Sequence, residues 1–228
     1  MDSPTKEENV WIAKQNCQNP QDGLSQNESA SIHLYTMQFT LGESLYVVLN
    51  RTLRAENRDD LKPWFKFLKL FMTALFKMNS IRATVWRGIR DVDLSGKYKK
   101  GVKFAWWGVS SCTTTIDVIE TFLGKTGIRT IFSVACLNGK SIIKHSYFSV
   151  SEQEIILTPG TYFKVVGQVN PAEGLHIIQL KEIQPPYLQQ QLRQVVGRHL
   201  YSWQNIKFVL LLAAFIGGMI AIGMTYSK

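Results

Sequence analysis

The hydrophobic period of this chain changes near residue 80, and this change restricts it to folds that place helices before strands. Before residue 80, apolar side chains recur at intervals of three and four residues in two stretches, separated by the charged segment 54–60: Leu45, Val48, Leu49 and Leu53, then Trp64, Leu68, Phe71 and Leu75. This spacing is typical of amphipathic helices. Asp60 and Pro63 predict that the second helix begins near Lys62.

Beyond residue 80 the apolar residues form short runs rich in β-branched and aromatic side chains, punctuated by glycines. These runs predict strands over 82–89, 103–113, 129–136, 154–157, 162–169 and 175–182, and a short helix over 118–123. Helices followed by mostly antiparallel strands are typical of an α+β fold. The first thirty residues are polar and show no sustained period, so we expect a loosely ordered segment over 1–30.

The stretch 208–226 contains no charged residue, and as a helix it would be about 28 Å long, close to the thickness of a bilayer core. We therefore expect one transmembrane helix there, after a basic linker over 187–207. Small side chains recur on one face of this helix and offer a surface for dimerisation in the membrane: Ala213, Gly217, Ala221 and Thr225.

The flanking charges and the cysteines predict on which side of the membrane the folded domain lies. Residues 1–15 carry acidic side chains and no apolar run, so no secretory signal is predicted. Arg193, Arg198 and Lys207 precede the span, and the three cysteines are an odd number, which favours a reducing compartment. We expect a tail anchor with a cytosolic domain; the alternative is an extracellular domain held by a lipid or by the helix.

Three strand-like segments carry the residues that predict chemistry, in the order Val85 to Ile89, Trp106 to Thr113, and Ser151 to Leu157. Arg87 presents a planar fork of donors that matches phosphate oxygens. Glu152 and Glu154 are two residues apart, so both side chains leave one face of a strand. When a glycosidic bond breaks through an oxocarbenium-like transition state, one such carboxylate can stabilise the developing cation while the other accepts a proton. The nicotinamide–ribose bond of NAD is such a bond.

In this order the segments resemble arginine-specific mono-ADP-ribosyltransferases of the Arg-Ser-Glu class, which include vertebrate ecto-enzymes and clostridial binary toxins. The resemblance covers 31–186 and rests on three motifs: Trp86-Arg87-Gly88, Ser111-Cys112-Thr113 and Glu152-Gln153-Glu154-Ile155. It implies a catalytic domain over 31–186 with a split β-sandwich. It also implies NAD as co-substrate and, as acceptor, a protein with an exposed arginine.

The resemblance also implies residue roles. Arg87 would anchor NAD through its phosphate and ribose, and the Gly88 backbone would meet the nicotinamide amide. Ser111 would orient Glu154, which would bond a ribose hydroxyl and stabilise the oxocarbenium. Glu152 would position or deprotonate the acceptor guanidinium.

Further residues follow less directly from the same resemblance. Phe122 would stack on the nicotinamide, and Tyr147 or Phe148 would touch the protein substrate. Because Cys112 and Thr113 depart from the Ser-Thr-Ser pattern of the family, the alternative register with Ser110 as the catalytic serine stays open. Alternation along the strand favours Ser111, although a bulge would reverse the faces.

The net charge of +9 raises the question of nucleic-acid binding. Basic residues are spread too diffusely for a nucleic-acid surface, and they fit an anionic membrane and NAD phosphates better. No zinc spacing, Walker loop or Gly-x-Gly-x-x-Gly run occurs, so no nucleic-acid partner and no metal are predicted. The chain is thus predicted to be an NAD-dependent ADP-ribosyltransferase, the alternatives being an NAD glycohydrolase and a catalytically silent membrane-tethered binding protein.

Overall fold

The structure, a computed structural model, describes residues 6–39, 42–148 and 153–186 of the chain. The predicted linker over 187–207, the predicted span over 208–226 and Glu152 lie outside the described residues. Within the described ranges, no helix has both the length and the apolar character needed to cross a membrane.

Five α-helices and one 3-10 helix are present in the described part of the chain. The α-helices are α1 (Lys6–Asn16), α2 (Gln26–Thr36), α3 (Leu45–Arg54), α4 (Phe65–Lys77) and α5 (Ile116–Leu123). The segment Asp59–Trp64 is a 3-10 helix that contains Pro63, so α4 begins at Phe65 rather than near Lys62. The apolar faces of α2, α3 and α4 form one core cluster with the side chains of Ile32, Leu49, Leu53, Phe71 and Leu75.

Helices α1 and α2 occupy most of the segment for which the composition predicts loose order. Ala13, Cys17 and Ala30 are buried against one another between them. The hydrophobic pattern misses α2 because several of its buried side chains are polar and are satisfied by hydrogen bonds. Ser25 caps α2 through a reciprocal capping box with Glu28, which also accepts a hydrogen bond from Lys77 of α4.

Seven strands of the described residues form a mixed sheet, which confirms the α+β class. They are β1 (Ser80–Arg90), β2 (Lys103–Trp106), β3 (Ser110–Thr113), β4 (Arg129–Ser141), β5 (Glu154–Leu157), β6 (Thr161–Ala172) and β7 (Leu175–Glu182). Their order is β1-β3-β5-β4-β7-β6-β2, and β1 also pairs with β4, so that β1, β3, β5 and β4 close on one another. Only the β4–β7 pairing is parallel among the described strands. A second core cluster, which includes Val85, Phe132 and Phe163, packs on this sheet.

The predicted strand over 103–113 is instead two strands that lie in different parts of the sheet. β2 pairs with β6 at one end of the strand order, whereas β3 lies between β1 and β5. The chain leaves β2 through Gly108, where a Cβ atom would lie 2.8 Å from Asn50 Oδ1 and 3.2 Å from Arg54 Nε. Glycine therefore lets the chain pass close to α3 on its way to β3.

We expect Glu28→Ala to lower the free energy of unfolding by about 2 kcal/mol, because it removes the capping box and the bond to Lys77. Burial raises the pKa of Glu28, but hydrogen bonds from Lys77 and Ser25 outweigh burial and leave the pKa below its usual value. A carboxylate whose pKa is lowered by folding stabilises the folded state at pH values above its unfolded-state pKa. This stabilisation is lost as the pH falls through the folded-state pKa.

Urea denaturation at neutral and at acidic pH measures this contribution. The difference between Glu28→Ala and the unsubstituted protein is expected to be largest at neutral pH and to narrow in acid. Glu7→Ala, on an exposed position of α1, is the control and should change stability little. A difference in unfolding free energy that stayed constant with pH would contradict the lowered pKa of Glu28.

Candidate active site

Three neighbouring strands bring Arg87, Ser111 and Glu154 together. In the strand register Trp86 faces Thr113, and Thr113 faces Glu154. Arg87 Nη1 donates a hydrogen bond to the Ser111 carbonyl oxygen over 2.9 Å. Ser111 Oγ donates to Glu154 Oε1 over 2.5 Å. The sheet topology thus connects residues that are distant in sequence into one cluster.

The second oxygen of the Glu154 carboxylate is also held. Ser146 Oγ donates to Glu154 Oε2 over 2.7 Å, and the Phe148 amide donates to Ser146 Oγ over 3.2 Å. Glu154 is only 7% exposed. Burial raises the pKa of Glu154, and the hydroxyls of Ser111 and Ser146 oppose this by stabilising the charged form. Sequence reasoning missed Ser146, for which the chain offers no signal beyond its closeness to the acidic motif.

The contact to Glu154 comes from Ser111 and not from Ser110. Val109 and Ser111 both line the cleft described below, as alternation along a strand predicts. Cys112 belongs to the apolar cluster beneath the sheet, where burial raises the pKa of its thiol to about 12. Its thiol is therefore protonated at neutral pH and a poor nucleophile.

A cleft of about 500 Å3 opens beside this cluster. Its walls come from α2, α3, β1 and β3, and the lining residues include Tyr35, Tyr46, Asn50, Arg51, Arg54, Arg87 and Ser111. Asn50 Nδ2 donates to the Tyr35 hydroxyl over 3.0 Å, while Asn50 Oδ1 is buried and accepts no hydrogen bond from a described residue. The α3 residues were not predicted as site residues, because the periodicity of that helix indicated only its apolar face.

The cleft is positively charged. Partial desolvation and the neighbouring Arg87 guanidinium lower the pKa of Arg54. Arg51 is neutralised by a bidentate bond to Glu43, with N–O distances of 2.8 and 2.7 Å. Arg54 and Arg87 form no ion pair with a carboxylate of the described residues, so an anionic ligand between them would relieve their repulsion.

The segment that carries Ser146 is held by hydrogen bonds to α2 and to the turn before it. His145 Nδ1 is 2.9 Å from Ser29 Oγ of α2, and its Nε2 is 3.2 Å from Asp22 Oδ2. The Tyr147 amide donates to Thr36 Oγ1 over 2.8 Å. Because these contacts lie on both sides of Ser146, the packing of α2 positions the hydroxyl that binds Glu154.

Two predicted residues, Gly88 and Phe122, lie on β1 and α5. A Cβ atom on Gly88 would lie 2.9 Å from Leu123 Cδ2, so glycine is needed there for α5 to pack on β1. Phe122 is 48% exposed, and the Arg90 guanidinium lies over its ring at 4.3 Å. Phe122 is therefore accessible to a ligand, with a cation already on one side.

The remaining predicted residues lie before and within the acidic motif. Tyr147 is 45% exposed, and its ring meets His33 edge-on at 5.6 Å and Phe148 at 5.7 Å. Gln153 adopts a φ of 46°, an uncommon conformation for a residue with a side chain, directly before Glu154. Within the described ranges, no cluster of three or more His, Cys, Asp or Glu side chains could hold a metal ion.

A sequence model of the family described as NAD:arginine ADP-ribosyltransferase matches residues 2–186. The chain belongs to this family. The predicted family is therefore confirmed, with NAD as the co-substrate that the family uses, and the activity class is ADP-ribosyl transfer. The match begins at residue 2 rather than 31, in accord with the packing of α1 and α2. Comparison with curated protein sequences finds no significant match.

The fold of this chain is similar to the folds of solved ADP-ribosyltransferase structures. HopU1 of Pseudomonas syringae pv. tomato DC3000 is 22% identical with a TM-score of 0.62, over 76% of this chain and 87% of HopU1. Vis of Vibrio splendidus, in complex with agmatine, is 18% identical with a TM-score of 0.59, over 81% and 88% of the two chains. The eucaryotic mono-ADP-ribosyltransferase ART2.2 is 18% identical with a TM-score of 0.57, over 79% and 80%.

We expect Ser111→Ala and Ser146→Ala each to raise the pKa of Glu154 further, since each removes a hydrogen-bond donor to the charged form. Ser110→Ala is the matched control and should leave this pKa unchanged. An NMR titration of the full chain with labelled glutamate carboxyl carbons measures it. A shift in Ser110→Ala and none in Ser111→Ala would reverse the serine assignment.

Proposed function

We propose that this protein transfers ADP-ribose from NAD to arginine side chains of other proteins, one unit per arginine. The observation that carries the proposal is the buried Glu154. Its two carboxylate oxygens are bound by Ser111 and Ser146, beside a cleft whose Arg54 and Arg87 form no ion pair with a described carboxylate. A fixed carboxylate next to an anion site is what cleavage of the nicotinamide–ribose bond requires.

The cleft residues fit NAD. A volume of about 500 Å3 is within the range of ligand sites, and Arg87 and Arg54 supply donors that match the pyrophosphate. Asn50 Oδ1, which has no donor among the described residues, is available to a donor of the ligand after a small side-chain movement. Phe122 would cover the nicotinamide ring, and the backbone of Gly88 would hold its amide.

Glu154 would act on the ribose that loses nicotinamide. Its carboxylate would accept a hydrogen bond from a ribose hydroxyl and stabilise the positive charge that develops on the sugar. Ser111 and Ser146 would keep both oxygens oriented before the bond breaks, so little reorganisation accompanies the reaction. The serine donors also keep more of Glu154 ionised than burial alone would allow.

Arginine as the acceptor rests on the family description and on the second carboxylate of the motif. The guanidinium nitrogen would form the new bond to the anomeric carbon as nicotinamide leaves, and Glu152 would accept the proton that the nitrogen loses. Tyr147, with its exposed ring, and Phe148 would contact the protein that carries this arginine.

Membrane attachment is the second part of the proposal. The uncharged stretch 208–226 is long enough to span a bilayer and would anchor the enzyme, and its stripe of small residues would allow dimerisation. Cys17, Cys112 and Cys136 are free and buried, which fits a domain on the cytosolic side.

The transferase proposal predicts separate effects for the two carboxylates. The full chain in detergent is incubated with labelled NAD, with and without agmatine, and both nicotinamide and the labelled adduct are measured. Glu154→Gln should lower both products by at least about a hundredfold. Glu152→Gln should abolish the adduct and spare much of the nicotinamide release.

The control is Glu173→Gln, at an exposed turn between β6 and β7, which should behave like the unsubstituted protein. Nicotinamide release without adduct in the unsubstituted protein would indicate an NAD glycohydrolase. An absence of NAD cleavage would indicate a tethered binding protein. An adduct that survives Glu152→Gln would contradict the role of that residue.

A further prediction concerns Arg54. Arg54→Gln should raise KM for NAD by about tenfold or more, because it removes a charge-assisted bond to the pyrophosphate. Arg82→Gln removes the same charge from an exposed position on β1 outside the cleft and should leave KM unchanged. Equal KM values for the two variants would place the pyrophosphate elsewhere.

A further inference from the structure

Three lysines lie side by side across three neighbouring strands at the β2 end of the sheet. Lys103 of β2 pairs directly with Lys164 of β6, and Lys164 pairs directly with Lys181 of β7. Directly paired residues point to the same face, with their Cβ atoms about 5 Å apart. All three side chains are exposed. We call these three residues the lysine row.

The described residues do not neutralise the lysine row. Like charges directly opposite each other destabilise a sheet, and Lys164 has such a neighbour on both sides. None of the three lysines forms an ion pair with a described residue. No acidic residue stands two positions before or after any of them, where side chains on the same face would lie: Gly101, Ala105, Tyr162, Val166, Gln179 and Ile183.

Other residues of this region suit a lipid surface. Val166 lies two residues after Lys164 on β6, and Leu137 lies two residues after the β4 residue that pairs with Lys181; they are 45% and 39% exposed. Lys99 and Lys100, also exposed, directly precede the turn into β2. Bases of nucleic acids stack on exposed aromatic rings, whereas Tyr162 on this face is half-buried and the exposed apolar side chains, Val166 and Leu137, are aliphatic.

We propose that the lysine row docks the catalytic domain onto an anionic membrane surface. This inference rests on the membrane anchoring proposed above. Lys181 lies five residues before the end of the described residues. In the sequence, the uncharged stretch that begins at Phe208 follows. Three lysines near anionic lipids strengthen attachment by only about a hundredfold, so the row would orient a tethered domain rather than recruit a free one.

The test uses the full chain reconstituted in vesicles of phosphatidylcholine alone or of equal parts phosphatidylcholine and phosphatidylserine. Exposed amines are acetylated briefly, and each lysine is quantified by mass spectrometry. We expect several-fold lower acetylation of Lys103, Lys164 and Lys181 in the anionic vesicles, and also of the nearby Lys99 and Lys100. The exposed Lys66 and Lys69 of α4 should react equally in both, and high salt should remove the protection.

Equal acetylation of the row in the two kinds of vesicle would overturn the proposal. Protection of the row by polyuridylate RNA, without protection by anionic vesicles, would overturn it in favour of nucleic acid. Flotation with the neutral vesicles reports the anchor separately. If the chain floats with the neutral vesicles but the lysine row is not protected in the anionic ones, the anchoring proposal stands and the docking proposal is overturned. The NAD assay is independent of both results.

Matched variants keep the test informative. The triple substitution Lys103→Gln, Lys164→Gln and Lys181→Gln should not lower the melting temperature, since it removes repulsion. It should abolish the protection of Lys99 and Lys100 in anionic vesicles. The control triple Lys14→Gln, Lys66→Gln and Lys69→Gln removes the same charge from exposed helical positions and should keep that protection. Identical protection in both triples would contradict the role of the row.

Discussion

The rest of the site depends on how the carboxylate of Glu154 is held in a buried position. A carboxylate removed from water tends to take up a proton, and two serine hydroxyls counter this tendency by donating one hydrogen bond to each oxygen. Ser111 comes from the neighbouring strand and Ser146 from the segment before the acidic motif. The charged group is thus oriented by the two parts of the chain that lie on either side of it.

This arrangement gives helix α2 and the turn before it a role in the site. Ser146 has its position because His145 is bonded to Ser29 and Asp22, and because the Tyr147 amide is bonded to Thr36. These contacts connect α2 and the turn before it to the site through polar groups. Helix α2 and the turn before it therefore help to position Ser146, and the family match, which begins at residue 2, includes both.

Positive charge is organised in two separate places. In the cleft, Arg54 and Arg87 are close enough to repel, form no ion pair with a described carboxylate, and are the proposed partners of the pyrophosphate of NAD. At the far end of the strand order, Lys103, Lys164 and Lys181 repeat the same pattern on an exposed face. In both places like charges are held close by the fold, and each place has a proposed anionic partner outside the protein.

The sequence by itself determined the α+β class, most strands and helices, and the family, because periodicity and short motifs are local properties. It also singled out Arg87, Ser111 and Glu154, which the structure brings into contact. Only the tertiary structure decided that Ser146, Asn50 and Arg54 join them, because their positions depend on strand order and on helix packing across the chain. The helix α2 escaped sequence reasoning for a related reason: its buried side chains are polar, and their partners are far away in sequence.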